Sequence, residues 1–430
     1  METVKIALVG FGTIGTGVAR ILLHEKERMT QATGKRVELV RICDQDITTL
    51  RKVEIPEGVL TTDVKAVIDD PTISLAIELI GGLEPARSFV LELLKSGKNV
   101  VTANKALLAT HGKEIFETAR AHGKSVAFEA AVGGGIPIIN AISTAFQANE
   151  LKNLQAIVNG TCNYILTQME EHGTDYAAAV REAQRLGYAE ADPTMDVDGT
   201  DTVQKLSILA HLGFGANGGW KNIPKTGIDT VDAIDIFYAK QLGYRIKLLA
   251  VAESTDEGVE LYVSPTLVKR ENPVANVRDS YNIIKIIGDA VGEVCFIGRG
   301  AGEMPTASAV VGDVIDTILG RTEITFKTLN LWSNTRPIRP IKNPADIWGK
   351  NYLRFQVDDR PGVLAEIAGI FGKHDISIAS VLQQENDIDG DPVMLIIMTH
   401  EGREGDTLAA IEKIDALPCV RSRTVRMRVE

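Results

Sequence analysis

Residues 4–15 read VKIALVGFGTIG, and this stretch decides the fold of the first third of the chain. An apolar, β-type run over Val4–Val9 leads directly into the pattern Gly10-x-Gly12-x-x-Gly15, which opens an amphipathic stretch. A glycine pattern between a strand and a helix is the context in which GxGxxG binds a dinucleotide. Gly10 permits the tight turn, Gly12 lets the backbone approach a pyrophosphate, and Gly15 lets helix and strand pack closely. The free N–H groups at the helix N-terminus favour the phosphates.

Short apolar segments alternate with helix-like segments over the first 130 residues or so. This alternation predicts a parallel sheet covered on both faces, and therefore an α/β fold with an N-terminal Rossmann-type doubly wound sheet. We assign residues 1–135 to this dinucleotide-binding domain. The further predicted strands are Val37–Cys43, Leu75–Ile80, Asn99–Thr102 and Ser125–Phe128, and the predicted helices are a stretch ending near Met29, Ala86–Lys95 and Lys113–His122.

The end of the second predicted strand bears on cofactor choice. Asp44 stands there, 29 positions after Gly15, which is further than usual for the carboxylate that holds a ribose 2′-hydroxyl. Such a carboxylate repels a 2′-phosphate, so Asp44 favours NAD. Arg41, Arg51 and Lys52 lie close by in sequence and suit the 2′-phosphate of NADP, so both cofactors stay open.

The rest of the chain divides into three further segments. Residues 136–333 mix helix-like and strand-like stretches and predict an α+β catalytic and dimerisation domain. Residues 334–350 hold three prolines and predict a semi-stiff linker. Residues 351–430 predict a separate βαββαβ unit. Its elements are strand Tyr352–Val357, helix Pro361–Lys373, strands Ile376–Leu382 and Val393–Thr399, helix Thr407–Ile414 and strand Val420–Val429.

Composition excludes several classes of protein. The 430 residues carry 46 Lys and Arg against 57 Asp and Glu, a formal net charge of −11, which argues against a nucleic-acid-binding surface. No apolar run approaches the length of a membrane span, and the N-terminus lacks the features of a signal peptide. The four widely spaced cysteines exclude a zinc ribbon and predict free thiols in the cytoplasm.

Several motifs in the central part of the chain carry a resemblance to a known family. Residues 158–166 read VNGTCNYIL, residues 186–202 read LGYAEADPTMDVDGTDT, and residues 205–210 read KLSILA. Together with VTANKAL at 101–107 and GRGAG at 298–302, they make the chain resemble homoserine dehydrogenases from about residue 4 to residue 320. The resemblance implies reversible oxidation of L-homoserine to L-aspartate 4-semialdehyde, in threonine, methionine and isoleucine synthesis. One departure is Cys162, where this family has threonine.

The resemblance also implies roles for individual residues. Lys205 is the expected general acid/base, Lys105 its partner near substrate and cofactor, and Asp201 a further catalytic residue. Glu190 and Asp196 are expected on the homoserine side, whereas for Asp198 we prefer the simpler interpretation of an acidic, solvated loop. The expected cofactor-binding residues are Gly10, Phe11, Gly12, Thr13, Ile14, Gly15, Asp44, Lys105, Gly187 and Gly302.

Two features of the residues support these roles independently of the family. Asp201 and Lys205 are four positions apart on a predicted helix, so they share a face. Lys105 follows a strand that should end at the cofactor edge of the sheet, where open α/β folds bind ligands.

The glycine-rich turn between residues 129 and 136 is a candidate cation site. The resemblance to homoserine dehydrogenases implies a sodium-type ion held by the Glu129 side chain and by the backbone carbonyls of Val132, Gly134 and Ile136. A carboxylate with loop carbonyls is a hard-oxygen set suited to Na⁺ or K⁺. The alternative is a tight glycine turn without an ion.

The C-terminal unit resembles an ACT domain, through its βαββαβ order and the DRPGVL stretch at 359–364. Such domains pair side by side and bind an amino acid, so the resemblance implies a threonine effector near Gly362, Val363, Asp375 and Ile376. The alternative is an ACT domain that serves only dimer contact. We expect a homodimer or homotetramer.

Two other functions stay open at this point. An acylating enzyme such as an aspartate-semialdehyde dehydrogenase needs an activated cysteine, and Cys162 is the only one near the expected site. A non-catalytic amino-acid sensor that kept the dinucleotide fold is the other.

Overall fold

The computed structural model describes residues 1–335, 337–383 and 392–430. Within these ranges no helix is both long and apolar enough to cross a bilayer. The strands are β1 (Thr3–Val9), β2 (Arg36–Cys43), β3 (Leu60–Thr61), β4 (Ile73–Glu78), β5 (Asn99–Thr102), β6 (Val126–Ala127), β7 (Leu151–Ile157), β8 (Tyr244–Thr255), β9 (Gly258–Lys269), β10 (Tyr281–Gly288), β11 (Gly292–Arg299), β12 (Trp348–Val357), β13 (Ile378–Gln383), β14 (Val393–Thr399), β15 (Gly402–Arg403) and β16 (Val425–Val429).

The helices are α1 (Thr13–His24), α2 (Lys26–Thr33), α3 (Lys65–Ile68), α4 (Ala86–Lys95), α5 (Lys105–Ala121), α6 (Ile138–Asn140), α7 (Gly160–His172), α8 (Tyr176–Arg185), α9 (Thr194–Val197), α10 (Thr200–Phe214), α11 (Ala233–Gln241), α12 (Glu303–Ile318), α13 (Arg321–Leu329), α14 (Val363–Lys373) and α15 (Glu404–Asp415).

The chain folds into two compact units, each assembled from three separate segments. The first unit comprises Met1–Asn153, Gln204–Asn222 and Asn282–Arg339. The second comprises Leu154–Val203, Ile223–Tyr281 and Pro340–Glu430.

The first unit contains a six-stranded parallel sheet in the order β3-β2-β1-β4-β5-β6. This order confirms the predicted Rossmann-type sheet. Val9 lies level with Cys43 and with Glu78, and Glu78 lies level with Thr102. The loops that follow β1, β2, β4 and β5 therefore leave the sheet at one edge, where α/β folds bind ligands. Helix α1 packs against α12, and both contribute to the apolar core beneath the sheet.

Two helix boundaries in the first unit differ from the sequence-based expectations. The amphipathic stretch expected to reach Met29 is broken at Glu25 into α1 and α2. Helix α5 begins at Lys105, eight residues before the predicted start at Lys113, because the Asn104 side chain caps it by accepting from the Leu107 N–H at 3.1 Å.

The second unit contains a mixed sheet in which β8, β9, β16, β12, β14 and β13 are neighbours in that order. β8 and β9 form a long antiparallel hairpin, and β16 pairs with β9 in parallel. The elements β12, α14, β13, β14, α15 and β16 confirm the predicted βαββαβ order of the C-terminal domain. That domain has its own core, built from one face of the strands and from α14 and α15.

Candidate active site

Glycine is required at two of the three positions of the loop after β1. Gly10 has φ of +102°, and a Cβ there would lie 2.5 Å from the carbonyl carbon of Leu79. A Cβ on Gly15 would lie 2.2 Å from the Gly10 carbonyl oxygen. Gly12 is different, because no atom lies within 4 Å of the place where its Cβ would stand. The space beside Gly12 is open, as close approach of a pyrophosphate requires.

A cavity of about 430 Å³ opens beside this loop within the first unit. Gly10, Gly12 and Asp44 line it, together with side chains that follow β4. Thr13 and Ile14 begin α1, so their N–H groups belong to the free first turn of the helix. The loop, the helix terminus and the cavity fit a dinucleotide.

Asp44 is held by the backbone at the end of β2. Its carboxylate accepts from the Phe11 N–H and, at 2.9 Å, from the Asp46 N–H. Arg51 donates from Nε to the Phe11 carbonyl at 3.2 Å, and its guanidinium lies 5.2 Å from the centre of the Phe11 ring. The Asp44 side chain therefore lines the cavity, and the Arg51 side chain packs on the glycine loop.

Lys105 is the first residue of α5, directly after the carboxyl end of β5. Its position is fixed by Asn104, whose side-chain amide donates to the Gly82 carbonyl at 2.8 Å. The fully buried Glu78 supports the same edge, because its carboxylate accepts from the Thr102 hydroxyl at 2.6 Å and from the Ile80 N–H at 2.8 Å. Sequence reasoning missed Glu78, although a carboxylate that ends an apolar strand was a visible signal.

Asp201 and Lys205 lie on α10, one helical turn apart, as the spacing predicted. Asp201 is 6% exposed, and its carboxylate accepts from the side-chain amide of Asn159 at 2.9 Å. The same amide donates to the Asp196 carboxylate at 2.7 Å. The structure thus brings Asp196 and Asp201 together, although the two residues come from α9 and α10.

The loop between α8 and α9 carries Glu190 and is held by bonds to its backbone. The Thr161 hydroxyl donates to the Tyr188 carbonyl, and the Gln184 amide donates to the Glu190 carbonyl at 3.2 Å. Gly187 has φ of +77°, which turns the chain after α8. These bonds fix the backbone and leave the side chain of Glu190 exposed.

Asp198, expected in a solvated loop, is half-buried and bonded on both sides of its carboxylate. Its carboxylate pairs with the Lys225 ammonium at 2.7 Å and accepts from the Thr200 N–H at 2.8 Å, at the start of α10.

Cys162 occupies the first turn of α7 and is fully buried. Its thiol donates to the Asp196 carbonyl at 3.2 Å, a bond that a threonine hydroxyl can make in the same place. A nucleophilic cysteine must be reachable and activated. The burial of Cys162 therefore argues against the acylating-enzyme alternative.

The turn expected to bind a cation adjoins a buried pair of carboxyl groups. The Glu129 carboxylate accepts from the Ile139 and Asn140 N–H groups at 2.8 and 2.7 Å, and the Glu129 N–H donates to Asp313 at 2.8 Å. Burial raises the pKa of Glu129 to about 7 and raises that of Asp313 as well. Among the described residues, no cluster of three His, Cys, Asp or Glu side chains suits a metal ion.

Val132, Gly134 and Ile136, whose carbonyls complete the expected cation site, are all buried. Gly134 has φ of +54°, and a Cβ there would lie 2.5 Å from the carbonyl carbon of Gly300. Gly302, expected to contact the cofactor, has φ of +116° and precedes α12 in the same loop as Gly300. The glycine turn and the GRGAG loop therefore pack directly on each other in the first unit.

The four expected effector residues lie at the two ends of α14. Gly362, with φ of +95°, and Val363 stand at its start, whereas Asp375 and Ile376 follow its end. At 1.5 Å rise per residue the helix separates the two pairs by roughly 15 Å. One small amino acid cannot contact both pairs within a single chain.

Comparison with known proteins decides the family. The model of the homoserine dehydrogenase catalytic domain matches residues 137–315, that of the homoserine dehydrogenase NAD-binding domain matches residues 10–129, and the ACT-domain model matches residues 351–419. The chain belongs to the homoserine dehydrogenase family. It is therefore an oxidoreductase with a nicotinamide-cofactor domain and an ACT domain, as the sequence predicts. This assignment contradicts the alternative of a non-catalytic amino-acid sensor.

One relative and two solved structures support this assignment. A homoserine dehydrogenase from Synechocystis sp. is 42% identical, over 97% of this chain and 98% of its own length. The crystal structure of a homoserine dehydrogenase from Thiobacillus denitrificans matches with a TM-score of 0.92 and 40% identity, covering 100% of this chain and 99% of that one. A hyperthermophilic archaeal homoserine dehydrogenase in complex with NADPH matches with a TM-score of 0.63 and 26% identity, covering 74% of this chain and 98% of that one.

Proposed function

We propose that this chain interconverts L-homoserine and L-aspartate 4-semialdehyde with Lys205 as general acid/base. The observation that carries the proposal is the placement of Lys205 one turn after Asp201, whose carboxylate is fixed by Asn159 together with that of Asp196. A reacting hydroxyl needs a positioned proton acceptor, and the reverse reaction needs a positioned donor. Asp196 and Glu190 offer carboxylates to the substrate ammonium.

Each group then has a definite part in the reaction. The nicotinamide ring, when bound, accepts or returns the hydride. In homoserine oxidation Lys205 Nζ takes the hydroxyl proton, and in reduction it returns that proton to the aldehyde oxygen. Lys105, at the ligand edge of the sheet, orients the substrate oxygen and the cofactor. Gly187 and Gly302 complete the proposed cofactor contacts.

The acid/base role is tested with Lys205→Ala against Lys225→Ala. We expect Lys205→Ala to lower kcat by about 10²–10⁴-fold, the usual contribution of a general acid/base. The control removes a lysine that pairs with Asp198 at 2.7 Å, so its kcat should stay near that of the unmodified enzyme. Near-normal turnover of Lys205→Ala in a spectrophotometric assay of NADH or NADPH would remove Lys205 from this role.

We further propose NAD as the preferred cofactor. The support is the Asp44 carboxylate, which lines the cavity beside the glycine loop, because a carboxylate there repels a 2′-phosphate. The measurement is kcat/KM with NAD and with NADP for the unmodified enzyme and for Asp44→Ser. We expect the ratio to favour NAD and to fall in the variant. A native preference for NADP would contradict the proposal, and the NADPH complex of the archaeal relative makes that outcome worth testing.

We also propose a monovalent cation in the first unit. A monovalent cation at Glu129 and the carbonyls of Val132, Gly134 and Ile136 predicts higher activity in Na⁺ or K⁺ than in choline at equal ionic strength. Equal activity in all three salts would contradict the site.

Threonine is proposed as the effector of the ACT domain, and a homodimer or homotetramer as the assembly. Because the two pairs of effector residues lie at opposite ends of α14, the proposed site takes one pair from each of two chains paired side by side. Threonine that alters neither activity nor melting temperature would reject the effector. Elution as a monomer at micromolar concentration would reject the assembly. The cytoplasmic location stays a prediction from the sequence.

A further inference from the structure

Every polar atom of the Asn159 side chain is engaged. The residue is 4% exposed and precedes α7 as its N-cap. Its Oδ1 accepts from the Cys162 N–H at 2.8 Å. Its Nδ2 donates to Asp196 at 2.7 Å and to Asp201 at 2.9 Å. An amide nitrogen has two hydrogens, so this arrangement uses the full donor capacity of the side chain.

The two bonds bring two carboxylates close together. Because one nitrogen reaches both oxygens, those oxygens lie no farther apart than the sum of the two bond lengths. Two carboxylates at that distance repel each other unless donors or cations compensate. Asn159 supplies one neutral donor to each, which orients both acids without adding a charge.

Helix α7 holds Asn159 on a rigid base. Asn163, one turn further along α7, is 1% exposed, and its side chain accepts from the Lys247 ammonium at 2.9 Å. Its amide donates to the Val277 carbonyl at 3.2 Å and to the Tyr281 carbonyl at 3.1 Å. The Cys162 thiol, in the first turn, also holds the backbone of Asp196. The helix is therefore fixed from behind while its N-terminus faces the two acids.

We propose that Asn159 is a positioning residue for catalysis. It holds the Asp196 carboxylate for the substrate ammonium and the Asp201 carboxylate beside the turn that carries Lys205. The inference rests on the proposed function, because it takes the roles of those two acids from there. Aspartate is the informative replacement, since it can still cap α7 but offers an oxygen in place of the donating nitrogen.

The experiment compares Asn159→Asp and Asn159→Ser with Asp175→Ala. Both Asn159 variants keep an N-cap oxygen and lose one or both bonds to the acids. Asp175→Ala removes the N-cap of α8 in the same unit, where the carboxylate accepts from the Ala178 N–H at 2.8 Å, without touching the acids. Should one Asn159 variant fail to fold, the other decides.

We expect kcat/KM for L-homoserine to fall about 10- to 100-fold in the Asn159 variants, as loss of hydrogen bonds to charged groups predicts. The KM for the dinucleotide should stay within about threefold, because the glycine loop is untouched. Asp175→Ala should lower the melting temperature while leaving both KM values near normal.

Two results overturn the inference, and they are distinguishable. If Asn159→Asp and Asn159→Ser lower the melting temperature but keep homoserine kinetics within about threefold, Asn159 only caps its helix. Asp196→Asn and Asp201→Asn are measured in parallel. If those variants also turn over homoserine normally, the proposed roles of the acids fail, and the inference fails with them.

Discussion

We predict that the side chain of Asp235 stabilises the contact between the ACT domain and the rest of the second unit. Asp235 lies on α11 and is fully buried. Its carboxylate accepts from the Tyr352 hydroxyl at 2.8 Å and from Arg354 at 2.7 and 3.1 Å, both on β12. It also accepts from the Asp232 N–H at 2.9 Å, closing a capping box at the start of α11. One buried carboxylate thus connects a helix of the second unit to the first strand of its ACT domain.

The expected cost of removing this carboxylate follows from what it leaves behind. Asp235→Ala leaves the Arg354 guanidinium, 11% exposed, without its counter-ion, and leaves the buried Tyr352 hydroxyl without this acceptor. Breaking a buried ion pair from one side costs about 3–5 kcal/mol. Tyr352→Phe removes one of the donors and leaves the ion pair, so it should cost about 1–2 kcal/mol. The order of the two variants is as informative as their size.

The assay is urea unfolding with hydrogen–deuterium exchange of the peptides that cover α11 and β12. We expect faster exchange in both peptides for Asp235→Ala, because the lost contact joins them. Glu182→Ala is the control, since it removes an exposed ion pair with Arg185 on α8 and should leave the transition unchanged. A loss below about 1 kcal/mol, or faster exchange in α11 alone, would refute the view that this carboxylate fastens the domain.

Three further predictions concern single side chains. Burial lowers the pKa of Lys247 from 10.5 to about 8, so as pH rises the folded state loses this proton before the unfolded state does. In urea titrations, the free energy of unfolding relative to that of Lys247→Met should therefore rise by about 3 kcal/mol between pH 8 and pH 10.5. A parallel pH dependence of the two proteins would contradict this. Gly12→Ala should fold normally by circular dichroism yet raise the KM for the dinucleotide, because the added methyl group enters the open space beside the loop. Gly15→Ala should fail to fold, because its Cβ would lie 2.2 Å from the Gly10 carbonyl oxygen. Equal folding and equal KM values in the two variants would contradict this loop geometry. Cys162→Thr should keep kcat within about threefold, because a hydroxyl can replace the buried thiol as donor to Asp196; a large loss would indicate that the thiol itself matters.

Features set by neighbouring residues could be predicted from the sequence. The strand, glycine loop and helix around Gly10 are local, and so is the one-turn spacing of Asp201 and Lys205. The early start of α5 was also local, since Asn104 is a good N-cap, but the apolar pattern further along the helix obscured it. Strand β3 has only two residues, too few to leave a periodic signal.

Features set by distant residues left no signal in the sequence. Asn159 reaches Asp196 and Asp201 across separations of 37 and 42 positions. Asp235 meets Arg354 across 119 positions. Each of these side chains, read alone, is an ordinary polar residue, and only the fold shows which acid an amide or a guanidinium meets. The reaction could therefore be predicted from motifs, whereas the contacts that orient its groups could not.

The pairing of β16 with β9 would give binding of the proposed effector a physical route beyond the ACT domain. Arg428 lies opposite Thr266 and Val429 opposite Leu267, so the last strand of the ACT domain continues the β8–β9 hairpin. The Arg428 guanidinium also stacks 4.1 Å from the centre of the Tyr262 ring on β9 and pairs with Glu404 at 2.9 Å. A domain joined only by a linker could bind an effector without consequence elsewhere. This domain shares a sheet with β9. An effector that favours one arrangement of β12 and β16 over another therefore also changes the energy of the contacts between β16 and β9. Such a difference in contact energy between two arrangements is what coupling between distant sites requires.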